Sequence, residues 1–386
     1  MPRINFPTNS AFIYNRLLGI DPVKYKNTRN FINGSVTYLS PYITHGFLTL
    51  CQIRDSLLEK YNKNDCQKIL QELAWREYFQ RVHEAVGNGV WTDIRNAQSY
   101  VQVETGIPKV FICKNTDIKS IDVAIRDLET SGYMHNHARM WTAMLATNIY
   151  GFYWQDASRW MYYHLLDGDI ASNTLSWQWV AGTFSSKVYV ANQENINTYD
   201  RINEESGTYL DTAYENLEHV QLNEKYHEYV AVDKILEVVH PDRCIEKTEL
   251  ATLLNTNKNI FLYHMWNLNP EYSENFIKID PTENRLNIFI IERTHLENNP
   301  ISKKRIDFVQ DLALQNIPHI KIVYMDFRQF TELLDENHKI VTTKHQNIAH
   351  FEDQCLKSKM KIVELPYLFP GKKWKSGGFM SWYNST

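Results

Sequence analysis

The chain has 386 residues, 43% hydrophobic and 22% charged, which excludes wholesale disorder and allows two or three domains. Its 41 basic and 45 acidic side chains leave a net charge of −4, so a uniformly basic nucleic-acid coat is excluded while a local basic groove is not. The outlying figure is the aromatic share of 13%, with 10 Trp, 23 Tyr and 17 Phe. Five cysteines (Cys51, Cys66, Cys113, Cys244, Cys355) stand far apart with no C-x-x-C pair, so neither a disulfide framework nor a metal site is expected. The first residues lack the order of a secretion signal, and no apolar run approaches the roughly 18 residues of a membrane span. A soluble, cytoplasmic protein, monomeric and without a membrane partner, is the expectation.

Residues 40–190 read as helices, with no strand alternation. Apolar residues recur at helical spacing over Lys68–Glu84, Ile121–Leu128, Asn136–Ile149 and Ala157–Leu166, and Gly132, Gly151 and Gly168 punctuate them. Residues 1–200 hold 19 Lys and Arg against 18 Asp and Glu, so the acid excess lies further on. Residues 201–230 are polar and acidic (Glu204, Glu205, Asp211, Glu215, Glu218), as in a linker or a solvated helix. Beyond them, the apolar runs Ile260–His264, Leu286–Glu292, His319–Asp326, Lys339–Thr343 and Lys361–Pro366 alternate with helical stretches Ser302–Gln315, Arg328–Glu336 and Ile348–Lys357. This alternation predicts a mainly parallel sheet covered by helices. The fold class is therefore α + α/β: an all-helical domain over 1–205, a linker over 206–230, and a Rossmann-like α/β domain over 231–386.

Three constellations carry chemistry. Asp167 and Asp169 flank a glycine directly after an apolar helix, and Asp169, Asn173 and Trp177 follow one another at spacings of four along a helix face. Asn136, Arg139 and Met140 share a face of another helix, and Arg139 is the expected partner for a buried carboxylate. The second is Thr37-Tyr38-Leu39-Ser40-Pro41, where hydroxyls and amides before a Pro-started helix make either an anion seat or a plain N-cap. The third is Glu72, Trp75 and Arg76, which combine acid, ring and base on one helix.

The motifs LSPYITHG, ELAWREYF, GYMHNHARM and DGDIASNTLSWQW, in this order, resemble the flavin-binding domain of the photolyase/cryptochrome family over roughly residues 30–195. The resemblance implies FAD as cofactor. It places Thr37, Tyr38, Leu39 and Ser40 at the FAD pyrophosphate, although Tyr38 stands where many relatives carry a basic residue. It places Arg76, Asn136, Arg139, Asp167 and Asp169 around the flavin, and Asn173 next to its N5 nitrogen, where an amide can stabilise the reduced form. Glu72, Trp75, Met140 and Trp179 would contact a pyrimidine dimer flipped out of UV-damaged DNA. Trp177 and Trp154 would be the inner tryptophans of a photoreduction chain, with Tyr100 or Trp91 as its outer member.

Asn173, where plant-type sensors usually carry Asp, and Asn136 and Met140, where (6–4) enzymes carry histidines, favour a cyclobutane pyrimidine dimer photolyase. The alternative is a cryptochrome-like blue-light receptor without repair activity. Family members normally begin with an α/β antenna domain, whereas here about 35 residues precede the first flavin motif. The tail SKMKIVELPYLFPGKKWKSGGFMSWYN resembles the end of such a domain, so a circular permutation is expected, with room for a second antenna chromophore of unknown identity.

Overall fold

The computed structural model describes residues 4–96, 105–271, 285–354 and 359–385. The helical part opens with α1 (Ser10–Leu18) and α2 (Pro22–Thr28), then the short α3 (Ser40–Thr44), α4 (Leu50–Lys60) and the long α5 (Lys63–Val86). Asn62 caps α5 by accepting from the Asp65 amide at 3.0 Å, and Gly87, at a φ of 56°, ends it. Further on come α6 (Lys109–Cys113), α7 (Lys119–Ser131), α8 (Asn136–Met144), α9 (Trp154–His164), α10 (Ile170–Ala181) and α11 (Gln193–Tyr199). α8 runs on through a π-helical turn, Leu145–Ile149, so the periodicity expected over 136–149 is helical throughout but loosens at its end. α10 is apolar on nearly every side, and it is correspondingly buried on both flanks.

The expectation of no strand before residue 190 needs one correction. Ile107–Pro108 (β1) pairs antiparallel with Tyr229–Val230 (β2). Two residues are too few to leave an alternating pattern. The segment 206–230 lies along the helical part: Tyr226 stacks on Tyr150 at 5.2 Å and donates its hydroxyl to Asp117 at 2.6 Å, and the Tyr209 hydroxyl donates to the Thr116 carbonyl at 3.0 Å.

The C-terminal part opens with α12 (Lys247–Thr256) and builds a five-stranded, all-parallel sheet from β3 (Asn259–Tyr263), β4 (Arg285–Glu292), β5 (Lys321–Met325), β6 (Lys339–Thr343) and β7 (Lys359–Val363). Its order is β5-β4-β3-β6-β7. The chain winds outward from β3 in one direction and then crosses back to β6, leaving a switch point between β3 and β6. Helices α13 (Arg293–Asn298), α14 (Lys303–Asn316), α15 (Phe327–Glu332) and α16 (His350–Gln354) lie between the strands, and α17 (Phe379–Asn384) closes the chain. β4 is buried along almost its whole length, as a strand covered on both faces must be.

The two parts share one apolar core in which Tyr42 and Phe47 sit with Trp266 and Phe308. Backbone bonds stitch the seam, from the Leu268 amide to the His45 carbonyl at 2.9 Å and from the Ser302 amide to the Tyr163 carbonyl at 2.9 Å. Gly46, at a φ of 62°, is fixed by this approach: a Cβ there would lie 2.1 Å from the Trp266 carbonyl oxygen.

Candidate functional site

The turn between α9 and α10 is Asp167-Gly168-Asp169, and each of its residues is held from a different direction. Arg139, on α8, donates from Nη2 to both oxygens of Asp167 at 3.0 and 2.9 Å, and its Nε donates to the Met134 carbonyl at 2.8 Å. Burial pushes the Asp167 carboxyl up, but the Arg139 charge and hydrogen bonds from Ser40 and Arg139 outweigh it, leaving Asp167 below the usual carboxylate range. Asp169 caps α10 by accepting from the Ser172 amide at 2.8 Å and hydroxyl at 2.6 Å, and it receives both bonds of the Gln80 amide at 2.8 and 2.9 Å. Its carboxyl too ends below the usual range: burial raises it, while the Arg76 charge and the Ser172 bonds bring it down further. Between them, the Gly168 carbonyl accepts from the fully buried Arg305 of α14. A Cβ on Gly168 would sit 2.4 Å from the Arg305 Nη1 and 2.8 Å from the Tyr162 carbonyl oxygen, so only glycine fits between the two acids.

Helix α5 supplies the next wall. The expected trio Glu72, Trp75 and Arg76 is adjacent on the helix, but its members turn to different partners. Glu72 pairs with Arg29 at 3.1 Å and Lys68 at 2.8 Å. Arg76 donates to the Thr44 hydroxyl, which in turn donates to the Asp167 carbonyl at 3.0 Å, so Arg76 reaches the acidic turn through α3. Trp75 stacks face to face on Phe379 of α17, with centroids 3.8 Å apart and planes 14° from parallel. One flat face of Trp75 is thereby covered.

Asn173, one turn into α10, donates both Nδ2 bonds to Ser158, to its carbonyl at 3.0 Å and its hydroxyl at 2.9 Å. Among the described residues its Oδ1 makes no hydrogen bond, which leaves an acceptor free for a ligand N–H. Asn136 and Met140 meet at 3.8 Å, Nδ2 to Sδ. Trp177 and Trp154 are buried in the same apolar cluster, Trp154 donating its indole N–H to Asp93 at 2.8 Å. Trp179 packs on Tyr189 at 5.7 Å. Trp91 is half-buried with Arg159 above its ring at 5.1 Å, and Tyr100 lies outside the described residues. The Thr37–Ser40 loop leads into α3, whose N-cap is Leu39 without a side-chain bond, so the plain Ser cap considered from sequence is not formed.

A cavity of about 160 Å³ opens beside Asp169, Arg76 and Gln80, and its far wall belongs to the sheet: Trp266 follows β3, and Lys344, His345 and Gln346 follow β6. His345 stacks on Trp266 at 4.8 Å and 6°, and burial holds its imidazole well below the ordinary histidine range. Gln80, Thr44, Ser158, Ser172, Arg305, Trp266 and His345 were not foreseen. Of these Gln80 and Ser172 carried a signal, Gln80 lying four residues after Arg76 on the same helix and Ser172 three residues after the capping Asp169. The others come from distant segments that only the fold brings in.

The donor set fits a flavin. Arg139, Asp167 and Asp169 offer fixed charges of both signs, Asn173 offers a free acceptor, and the 37–40 loop offers hydroxyls and amides. Among the described residues no cluster of His, Cys, Asp or Glu could hold a metal ion, and no helix is long and apolar enough to cross a membrane.

Residues 69–248 match the sequence model of the FAD binding domain of DNA photolyase. A deoxyribodipyrimidine photo-lyase of Alkalihalophilus pseudofirmus is 31% identical over 212 residues, covering 51% of this chain and 42% of the relative. One from Streptomyces griseus is 29% identical over 160 residues, covering 41% and 35%. A cryptochrome DASH of Danio rerio is 28% identical over 177 residues, covering 41% and 32%. The matched stretch thus spans only about a third to two fifths of the length of these relatives.

Proposed function

We propose, from its similarity to the FAD binding domain of DNA photolyase over residues 69–248, that the chain is a light-driven DNA repair enzyme of the photolyase/cryptochrome family acting on cyclobutane pyrimidine dimers. The single observation that carries this reading is the acidic turn: Asp167 held by Arg139, Asp169 held by Gln80 and Ser172, with Asn173 Oδ1 free one turn beyond. Bound reduced FAD supplies, on absorbing light, the electron that splits the dimer.

The residues of this chain bind, orient and tune. Arg139 and Asp167 fix the floor of the site, and Asn173 offers its carbonyl oxygen to the N–H of a reduced flavin. Arg76 places a positive charge beside Asp169. Glu72, Met140, Trp179 and the uncovered face of Trp75 receive a flipped-out dimer, base–ring stacking contributing about 1–3 kcal/mol per base. Trp177 and Trp154 carry electrons inward when the flavin starts oxidised. The α/β part, 231–386, is an antenna-type domain placed after the helical one by circular permutation.

The test is illumination of the reduced, FAD-loaded protein with dimer-containing DNA, following loss of the dimer. No repair with FAD bound would sink this reading and leave a blue-light receptor. Glu72→Ala is expected to lower repair while FAD stays bound; release of FAD instead would mean that Glu72 serves the cofactor.

A further inference from the structure

Residues 367–385 run along α5, and side chains of that helix hold them at several points. Glu77, 1% exposed, accepts from the Leu368 and Phe369 amides at 2.6 and 3.1 Å. Arg81 lies over the Tyr367 ring, its guanidinium carbon 3.4 Å from the centroid. The Tyr78 hydroxyl donates to the Gly377 carbonyl at 2.8 Å, and the Trp374 indole N–H donates to the same oxygen at 3.0 Å. Gly377, at a φ of 90°, turns the chain there into α17. Lys372 ties the end of α17 back, donating to the Tyr383 and Ser385 carbonyls at 3.1 and 2.6 Å. A buried carboxylate accepting two amides and a cation on the last helix carbonyls make this a fixed attachment.

The attachment presents one ring to Trp75. Phe379, 3% exposed, lies nearly parallel to it, and Tyr78 meets both rings edge-on with its centroid 5.7 Å from each. Trp75 itself is half-buried, and among the described residues no second ring is stacked on it. A large side chain on a helix surface has several staggered settings, and a ligand that stacks on it must hold it in one of them, at a cost in affinity. The stack from Phe379 sets the plane of the indole before any ligand arrives.

We propose that Phe379 is a positioning residue for the flipped-out dimer: it fixes the plane of Trp75 from behind, so that the other face is a preset platform for a base. The inference rests on the repair reading above, in which Trp75 lines the dimer pocket. Phe379 touches no substrate and acts through Trp75. Undamaged DNA puts no base into the pocket, so the preset ring favours dimer-containing DNA alone.

The test measures binding in the dark of the FAD-loaded, full-length protein to matched duplexes with and without a cyclobutane dimer. Phe379→Leu keeps an apolar side chain but removes the flat ring. It is expected to weaken binding of the dimer duplex about 2- to 10-fold, the scale of one side chain left to be ordered on binding. Affinity for the undamaged duplex and retention of FAD should not change. Tyr78→Phe removes only the hydroxyl that seats Gly377, so it should shift dimer affinity in the same direction by a smaller factor, and it decides the matter where Phe379→Leu does not fold. In a Trp75→Ala background Phe379→Leu should have no further effect, because the platform is gone. Unchanged dimer affinity in both variants, an equal loss for the two duplexes, or the same loss in the Trp75→Ala background overturns the assignment and makes Phe379 plain packing. If the unaltered protein does not distinguish the two duplexes, the repair reading itself falls, an outcome distinct from the other three.

Discussion

Removing Arg139 tests the physical basis of the site most directly. The Asp167 side chain is 5% exposed and Arg139 24%, so Arg139→Leu strands a buried carboxylate. Breaking a buried pair from one side costs about 3–5 kcal/mol, and the partial exposure of Arg139 argues for the lower end. The lost bond from Nε to the Met134 carbonyl adds about 1 kcal/mol, giving about 4 kcal/mol in all. Asp167→Asn should cost less, about 1–2 kcal/mol, because the amide needs no counter-charge and the arginine can turn toward water. The double variant should then cost about 3–4 kcal/mol, short of the sum of about 5–6 kcal/mol by a coupling of about 2 kcal/mol. Urea unfolding of flavin-free protein, followed by tryptophan fluorescence, measures all three, since bound FAD would add its own stabilisation. A loss below about 1 kcal/mol in Arg139→Leu, or additive effects in the double variant, would refute the argument that this pair holds the turn.

Three further outcomes are expected. Burial pushes His264 and His295 down to about 3, and His345 lies well below its ordinary value, so these imidazoles are neutral when folded. Their contribution is present above the unfolded value near 6.5 and is lost as pH falls toward the folded one. At pH 5 each of the first two should cost about 2 kcal/mol, and a chemical-denaturation series with equal stability at pH 7.5 and 5 would contradict this. Gly168→Ala must move Arg305 or the Tyr162 carbonyl, so it should lower stability by about 1–3 kcal/mol, read as the urea midpoint. Trp177→Phe should block photoreduction of oxidised FAD yet still permit repair after chemical reduction, and unimpaired bleaching of the oxidised flavin spectrum would remove Trp177 from the route.

What the sequence disclosed follows the range of the forces involved. α5 and α10 were legible because caps and apolar spacing are local, and the five strands because buried parallel strands read as short apolar runs. Charge and burial made Arg139 the expected partner of a buried carboxylate, and the structure shows that carboxylate to be Asp167. β1 and β2 were not, since pairing of two-residue strands across 121 and 123 positions leaves no local trace. The partners of the site fared likewise: Arg305 stands 137 residues from the carbonyl that it holds, and Phe379 lies at the far end of the chain from Trp75.

These long-range partners also show why the acidic turn belongs to both parts of the molecule. Asp167 is held from α8, but the peptide that links it to Asp169 is held by Arg305 from α14, and His345 after β6 lies across the cavity from Asp169. Arg305 is fully buried, and its side chain reaches Gly168 and Tyr162 across the seam. A guanidinium so placed cannot recover hydration if the carbonyls move, so displacing the turn exposes a buried charge to apolar surroundings. The spacing of the two carboxylates is thus enforced by the sheet side as well as by the helices. That is the physical sense in which an α/β domain can follow the helical domain in the chain and still serve it: the contacts at the seam set the site, and the order of the segments does not enter them.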